Sequence, residues 1–249
     1  MSGELSGIHD VLARMDALLA AMPPTLTTQR TFLSTYRRTT IAVGSKVEQG
    51  KFEDRAWVDR WDAAFADLYV RALEAQLAGG AVPRPWRLAF GAPDDLPPLR
   101  LLLLGINAHI NYDLPQSLVA VISPEEFADS ALLARRQRDH ERIDTILASR
   151  VSAEDDQLFA VSKVTVSDHV LRPLNRAASK RFLREARSKV WSNTRELNAA
   201  RLAGPDAYAA RLGELEVLSA ARIADLLAPG QVVLKLAVAG FGVTLPPPA

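Results

Sequence analysis

Apolar residues in the first third of the chain recur at every third or fourth position, which is the spacing of one face of an α-helix. This pattern predicts a first helix over about 5–22, which Pro23 and Pro24 end. The same spacing predicts a second helix over about 28–47 and a third over about 53–78. Three amphipathic helices that follow one another in this way are typical of a helical bundle.

Prolines set apart the next part of the chain. Five of them fall between residues 79 and 98, and this stretch is predicted to be a long Pro-rich loop because so many prolines cannot continue a regular element. Its aromatic residues indicate that the loop packs against the body of the protein. The apolar segment 99–122 is predicted to be a central helix. At Ser123 the sequence SPEE matches a capping box and predicts a further helix to about Arg150.

The rest of the chain completes an all-α pattern. Helical spacing continues through residues 153–171, 174–203 and 206–228. The tail 231–249 is apolar and then Pro-rich, and we expect it to form a buried, irregular or partly helical ending. The sequence thus predicts a single-domain helical bundle over residues 1–249 with a central antiparallel helix hairpin. The arms of this hairpin are the segment 99–122 and the helix after Ser123.

Composition and charge narrow the class of protein. The chain has 249 residues, 48% of them hydrophobic, which is enough for a substantial core. Its 30 basic and 29 acidic residues leave a net charge of +1, so binding to nucleic acid through bulk charge is not expected. The basic run 172–189 is predicted to be a solvated helix face, with a phosphate-binding site as the alternative.

The sequence also excludes several kinds of site and gives an expected location. There is no cysteine, which excludes disulfides, thiolate nucleophiles and cysteine-ligated metals. The longest apolar run, Leu101–Ile106, is far shorter than the roughly 20 residues that span a bilayer. The N-terminus lacks the basic region and apolar core of a secretory signal. We therefore expect a cytoplasmic protein that does not enter a membrane.

Polar side chains interrupt the central apolar segment in the motif GINAHINYDLP, residues 105–115. Because residues four apart lie on one face of a helix, His109 and Asp113 are predicted to face one neighbouring element. Asn107 and Asn111 are predicted to share the opposite face. The proline that ends the motif cannot donate a backbone hydrogen bond, and it predicts a kink or break next to Asp113.

A second His-x-x-x-Asp pair follows at His140 and Asp144. In an antiparallel hairpin the two pairs would differ in level by only about 5 Å, so they could face one another. Two imidazoles and two carboxylates suit one divalent metal ion such as zinc, iron or manganese, which would activate a bound water. His109, Asp113, His140 and Asp144 are therefore the predicted catalytic or metal-binding residues.

Two other interpretations of these residues stay open. Without a metal, a His–Asp pair is a competent general base, because the carboxylate fixes the imidazole tautomer and raises its basicity. Alternatively the pairs form a buried structural network that locks the helices in register. Asn107 and Asn111 are predicted to orient a ligand. Asp62 and Asp67 lie about 140° apart on one helix, so at most one of them is predicted to add a carboxylate to the site, with Asp62 as the candidate and a solvated or salt-bridged aspartate as the alternative.

The motif GINAHINYDLP, with DHERID downstream, resembles the signature G-x-N-A-H-I-N-x-D-L of a bacterial family known only as a domain of unknown function. The similarity extends over most of the chain, including FEDRAWVDRWDAAFADLY before the motif and REARSKVWSNTREL after it. The resemblance supports the fold and the position of the site, and it implies no reaction. The positions that it marks are Asn107, His109, Asn111, Asp113, His140 and Asp144.

Two functional hypotheses follow from the sequence. In the first, the chain is a metal-assisted hydrolase or lyase that acts on a small molecule through its His/Asp cluster. In the second, it is a non-catalytic bundle that binds a small ligand or a partner, and the same polar residues form a buried network.

Overall fold

The computed structural model describes residues 6–143, 146, 185–186, 188–230 and 240–248, and all regular structure in these ranges is helical. The all-α prediction is thus confirmed. A π-helical turn, His109–Asp113, which we call the π turn, joins two of the helices without a break. The α-helices are α1 (Gly7–Ala21), α2 (Thr27–Glu48), α3 (Arg55–Leu77), α4 (Arg84–Phe90), α5 (Pro98–Ala108), α6 (Leu114–Val121), α7 (Pro124–Ala128), α8 (130–143), α9 (188–203) and α10 (Pro205–Leu227). Among these ranges, no helix has the length and apolar content needed to cross a membrane.

The continuous unit formed by α5, the π turn and α6 lies at the centre of the fold. It packs against α2 and α3, and it also packs against α4 and α10. Most of its apolar side chains are buried, as the sequence of this segment predicts. α1, α2 and α3 also pack on one another, so the first three helices form a body on which the central unit rests.

The Pro-rich stretch 79–98 is not a continuous loop as predicted, because it contains α4. Proline lacks only an amide hydrogen that the first helical turn does not use, so Pro85 is compatible with the start of this helix. Trp86 and Phe90 are 1% and 6% exposed. The expected packing of this stretch against the body is therefore confirmed.

The helix predicted from Ser123 to about Arg150 is divided into α7 and α8 by Asp129. The capping box of Ser123 and Glu126 is present. Asp129, however, has an extended backbone, and its carboxylate accepts hydrogen bonds from the amides of Ala131 and Leu132. Aspartate competes with the helix for these amides, so it ends α7 and caps α8.

Charged side chains cap the ends of several helices from neighbouring elements. Arg30 donates to carbonyls at the end of α1, Arg201 to carbonyls at the end of α6, and Arg100 to carbonyls at the end of α10. At the start of α1, two backbone amides donate to Asp59 of α3. Helix ends leave four amides or four carbonyls without a partner, so these contacts join helices while they satisfy their ends.

We expect Gly105→Ala to destabilise the protein by about 1–3 kcal/mol, because it would force α5 away from α2. A Cβ atom at this position would lie 2.3 Å from the Phe32 ring. Urea denaturation measures the effect. The matched control is Gly213→Ala in α10, where a Cβ atom would meet nothing within 4 Å. This control should stabilise the protein by about 0.5–1 kcal/mol, and equal stability of the Gly105→Ala chain and the wild type would contradict the packing.

Candidate functional site

The candidate site is built on the π turn. Pro115 has no amide hydrogen, so the carbonyl of Asn111 loses its usual helical partner. The chain accommodates this in one wider turn, in which the amide of Leu114 donates to the carbonyl of His109, five residues earlier. The break predicted next to Asp113 is therefore a π turn, and all five of its residues are buried.

His109 and Asp113 contact each other directly. Nδ1 of His109 is 2.8 Å from Oδ2 of Asp113, and the indole nitrogen of Trp86 donates to the same oxygen over 2.8 Å. The side chains of His109 and Asp113 are 5% and 2% exposed. With Asp113 as a carboxylate, Nδ1 carries the imidazole proton and Nε2 presents a lone pair.

Burial determines the charge state of the pair. It lowers the pKa of His109 below the ordinary value, and the hydrogen bond with Asp113 opposes this only in part. Burial also raises the pKa of Asp113, against the hydrogen bonds from His109 and Trp86, which lower it. At neutral pH the imidazole is therefore uncharged, which is the form that can accept a proton.

Aromatic rings from α2 and α3 surround the imidazole. Phe65 stacks on it with ring centroids 3.6 Å apart, and the rings of Tyr36 and Tyr69 pack edge-on at 4.6 and 6.0 Å. Nε2 of His109 and the hydroxyls of Tyr36 and Tyr69 are buried and have no hydrogen-bond partner among the described residues. We call His109, Asp113, Trp86, Tyr36 and Tyr69 the His109 cluster. Three unpartnered polar atoms thus occur on rings in mutual contact.

Both tyrosines of the cluster keep their protons. Burial raises the pKa of Tyr36 well above its ordinary value, and the charges of Asp62 and Asp113 raise it further, while an interaction with the Thr40 side chain lowers it in part. Burial alone raises the pKa of Tyr69. Each hydroxyl is therefore a neutral hydrogen-bond donor across the physiological pH range.

Asp62 lies near this cluster on α3, two helical turns before Tyr69 and on the same face. It is 5% exposed, and its Oδ2 has no partner among the described residues. Burial, and then the charge of Asp59, raise the pKa of Asp62 to about 7. Asp67 instead forms ion pairs with Arg14 and Arg71. Of these two aspartates only Asp62 faces the interior, as their angular separation on α3 predicts.

Asn107 and Asn111 face the C-terminal segment of the chain. The side-chain amides of both donate to the carbonyl of Phe241 over 3.1 Å, and Oδ1 of Asn111 accepts from the amide of Val243. The two polar faces predicted from the spacing of the motif are both present. In this structure the asparagines thus bind the backbone of the C-terminal segment through hydrogen bonds. Their predicted role in orienting a ligand stays a prediction.

His140 is buried at a different place, against α3 and α9. Its Nδ1 accepts a hydrogen bond from the indole of Trp191, and its ring lies 5.0 Å from that of Trp61. His109 instead stacks on Phe65, whose ring is stacked with Trp61. The two histidines therefore contact successive members of one aromatic column.

The predicted joint metal site draws no support from these positions. Within the described part of the chain, no three His, Asp or Glu side chains come together as ligands for one ion. Asp144, the fourth predicted ligand, lies outside the described residues, as does most of the basic run 172–189. A metal shared by His109, Asp113, His140 and Asp144 stays a prediction.

Sequence reasoning missed Tyr36, Tyr69 and Trp86 as members of the site. The two tyrosines lie at helical spacing among apolar residues, which is the ordinary pattern of a core, and Trp86 lies in the stretch predicted to be a loop. A signal was present in α3, where aromatic residues recur every four positions. This series consists of Trp57, Trp61, Phe65 and Tyr69.

Comparison with known proteins identifies a family without a known activity. A family model described as Family of unknown function (DUF5995) matches residues 8–229, which is most of the chain. The expected membership in a family of unknown function is thus confirmed. No curated protein and no solved structure matches the sequence.

We expect Asp62→Asn to change how stability depends on pH. Folding raises the pKa of Asp62 from 3.8 to about 7. Between these two pH values the folded chain therefore keeps a proton on Asp62 that the unfolded chain has released. Wild-type stability due to this group is therefore greatest near pH 4 and falls as pH rises toward 7. At pH 8 the variant should be more stable than the wild type by about 4 kcal/mol, and near pH 4 the two stabilities should agree.

Asp67→Asn is the matched control, and urea denaturation at a series of pH values is the measurement. Although burial raises the pKa of Asp67, its hydrogen bonds with Arg71 and Arg14 lower it overall. Its contribution is therefore present above pH 4 and lost in acid, which is the opposite dependence. If the stabilities of Asp62→Asn and the wild type differ by the same amount at every pH in this range, Asp62 is not a buried group with a raised pKa.

Proposed function

This chain belongs to a family of unknown function, and we propose from its geometry that it binds a small uncharged polar molecule at the His109 cluster, with His109 as the base. One observation carries this proposal. The accepting nitrogen of a His–Asp pair and two tyrosine hydroxyls are buried together and have no protein partner in the described part of the chain.

The energetic cost of this arrangement supports a role in binding. Buried polar groups in proteins are nearly always hydrogen-bonded, and each one left unpaired costs about 1–3 kcal/mol. Phenylalanine would remove that cost at Tyr36 and Tyr69 without loss of apolar area. Groups that cost stability in this way are typical of functional sites, where they pair with a ligand.

The surroundings of the cluster define the kind of ligand. Desolvation disfavours a charged molecule at a site lined by Phe65 and Trp86. An uncharged molecule with one donor and one or two acceptors would pair with Nε2 and the two hydroxyls. Tyr36 and Phe65 are only partly buried, so the cluster lies close beneath the protein surface at this edge.

The chemistry that suits these groups is general-base catalysis. Nε2 of His109 takes a proton from a water molecule or from an acidic carbon of the ligand, and the Asp113 carboxylate stabilises the imidazolium that forms. The Tyr36 and Tyr69 hydroxyls donate to an oxygen on which negative charge develops. The imidazolium then returns the proton to the leaving group. Hydrolysis and elimination are the two reaction classes that use this sequence of proton transfers.

A purely structural network is the competing hypothesis, and it explains only part of the geometry. A structural network accounts for Asp113, whose carboxylate accepts hydrogen bonds from Trp86 and His109, and for the asparagine amides that donate to the C-terminal segment. It gives no reason for the unpartnered atoms of His109, Tyr36 and Tyr69. The substitution experiments that follow distinguish the two hypotheses.

We expect Tyr69→Phe to raise the stability of the free protein by about 1 kcal/mol, because it removes a buried unpartnered hydroxyl, and Tyr36→Phe to raise it by less, because the Tyr36 hydroxyl interacts with Thr40. Thermal and urea denaturation measure this. Tyr112→Phe is the matched control, since Tyr112 is buried but its hydroxyl is not among the unpartnered buried atoms. It should not stabilise the protein. Loss of stability in both site variants would favour the structural network.

Binding is tested with acetamide, glycerol and phenol as probes, monitored by NMR of ¹⁵N-labelled histidines. We expect at least one probe to shift the Nε2 signal of His109 and to raise the thermal midpoint. The signal of His9, which is exposed beside Glu48, serves as the internal control. The double variant Tyr36→Phe/Tyr69→Phe should lose both effects. If His109 responds to none of the probes, this site does not bind uncharged polar molecules.

Catalysis is tested by hydrolysis of 4-nitrophenyl acetate. The rate should rise with pH through the lowered pKa of His109 and be constant above pH 7, because only the uncharged imidazole accepts a proton. His109→Gln should reduce the rate about 100-fold or more, and His9→Gln should leave it unchanged. An unchanged rate in His109→Gln would remove His109 as the base.

A further inference from the structure

The C-terminal residues 240–246, which we call the tail segment, are held by side chains of other elements, and among the described residues no backbone group pairs with them. Within the described part of the chain, each hydrogen bond to its backbone comes from a side chain of α5, the π turn, α9 or α10. The carbonyl of Phe241 accepts from two asparagines, and the carbonyl of Gly242 accepts from Lys189 over 3.1 Å. We call the surface that carries these side chains the tail groove.

Two asparagines pair with the tail segment as an edge strand would. Asn111 donates to the carbonyl of Phe241 and accepts from the amide of Val243 at 3.0 Å. Asn193 repeats this arrangement two residues further on, donating to the carbonyl of Val243 and accepting from the amide of Leu245 at 2.9 Å. The asparagine amides thus replace the backbone of a neighbouring strand.

The side chains of the tail segment alternate between groove and surface. Phe241, Val243 and Leu245 are 2%, 8% and 5% exposed, and Thr244 between them points outward. Extended peptides bound by other proteins follow the same rule, with backbone hydrogen bonds for affinity and pockets for alternate side chains for specificity.

Two glycines restrict which sequence can occupy the groove. Gly240 has a φ of +74°, which other residues rarely adopt. At Gly242 a Cβ atom would lie 2.8 Å from the Lys189 side chain and 2.9 Å from the Cα of Ala186. The groove therefore accepts an extended segment with glycine at two alternate positions and apolar side chains at the three others that enter it.

We propose that the tail groove is an exchangeable peptide-binding site, and that its occupant in trans is the tail segment of a second copy of this chain. The tail segment meets every requirement of the groove, so the tail of another copy would form identical contacts. Exchange of an identical element between copies costs few contacts and is a common route to dimers.

The test combines two full-length variants. One keeps an intact tail groove, and the other keeps an intact tail segment. Gly242→Val disables its own tail segment but keeps the groove, and Asn193→Ala weakens its own groove but keeps the tail segment. The two chains are mixed, warmed to just below their thermal midpoints and cooled. We expect a one-to-one heterodimer by light scattering, with a thermal midpoint above that of either chain alone.

The control mixture pairs Gly242→Val with the double variant Asn193→Ala/Gly242→Val, which has no intact tail segment and should not form a heterodimer. Monomers alone in the first mixture, with both chains folded by circular dichroism, would overturn the proposal. If Gly242→Val does not fold alone, Gly242→Ala replaces it, since one methyl group already meets Ala186. Stabilisation of the tail-disabled chain by a synthetic peptide of residues 240–248, without any heterodimer, would assign the groove to a separate peptide and also overturn the proposal.

Discussion

Burial of a polar motif in the central helical unit is the constraint on which the rest of the structure depends. α5, the π turn and α6 are surrounded by other elements, so each polar side chain in them needs a partner from a neighbour. Trp61 of α3 donates to Ser117, Trp86 of α4 donates to Asp113, and the C-terminal segment pairs with Asn111. These contacts fix where three separate parts of the chain are placed.

The same contacts prepare the imidazole of His109. An aromatic column along α3 begins with Trp57, under the guanidinium of Arg136, and ends with Phe65 stacked on the imidazole. Asp113 fixes the ring from the other direction through Nδ1. A side chain held on its face and at one nitrogen can reorient very little. Its second nitrogen is therefore presented in one direction, which is the preorganisation that binding or proton transfer requires.

Polar groups on the two faces of the π turn differ in how completely they are satisfied. On the face of Asn111, both polar side-chain atoms of Asn111 are paired with the tail segment, and the Asn107 amide donates to it, while Oδ1 of Asn107 has no partner among the described residues. On the face of His109, one nitrogen and two nearby hydroxyls have no partner among the described residues. A sequence under selection for stability alone would not keep the second arrangement. The candidate site differs from the asparagine face because its unpartnered atoms lie on rings that contact one another, whereas the asparagine face has the single oxygen of Asn107.

Local periodicity and the i to i+4 spacing of a helix were enough to predict α1, α2 and α3, the buried central segment and the two polar faces of the motif. The sequence could not determine that Asp129 divides a helix, since that depends on whether an aspartate caps or continues one. Only the tertiary structure placed Tyr36, Tyr69 and Trp86 around His109, and separated His140 from it by Trp61 and Phe65. Contacts between residues distant in sequence depend on how the helices pack, and the periodicity along a single chain does not record them.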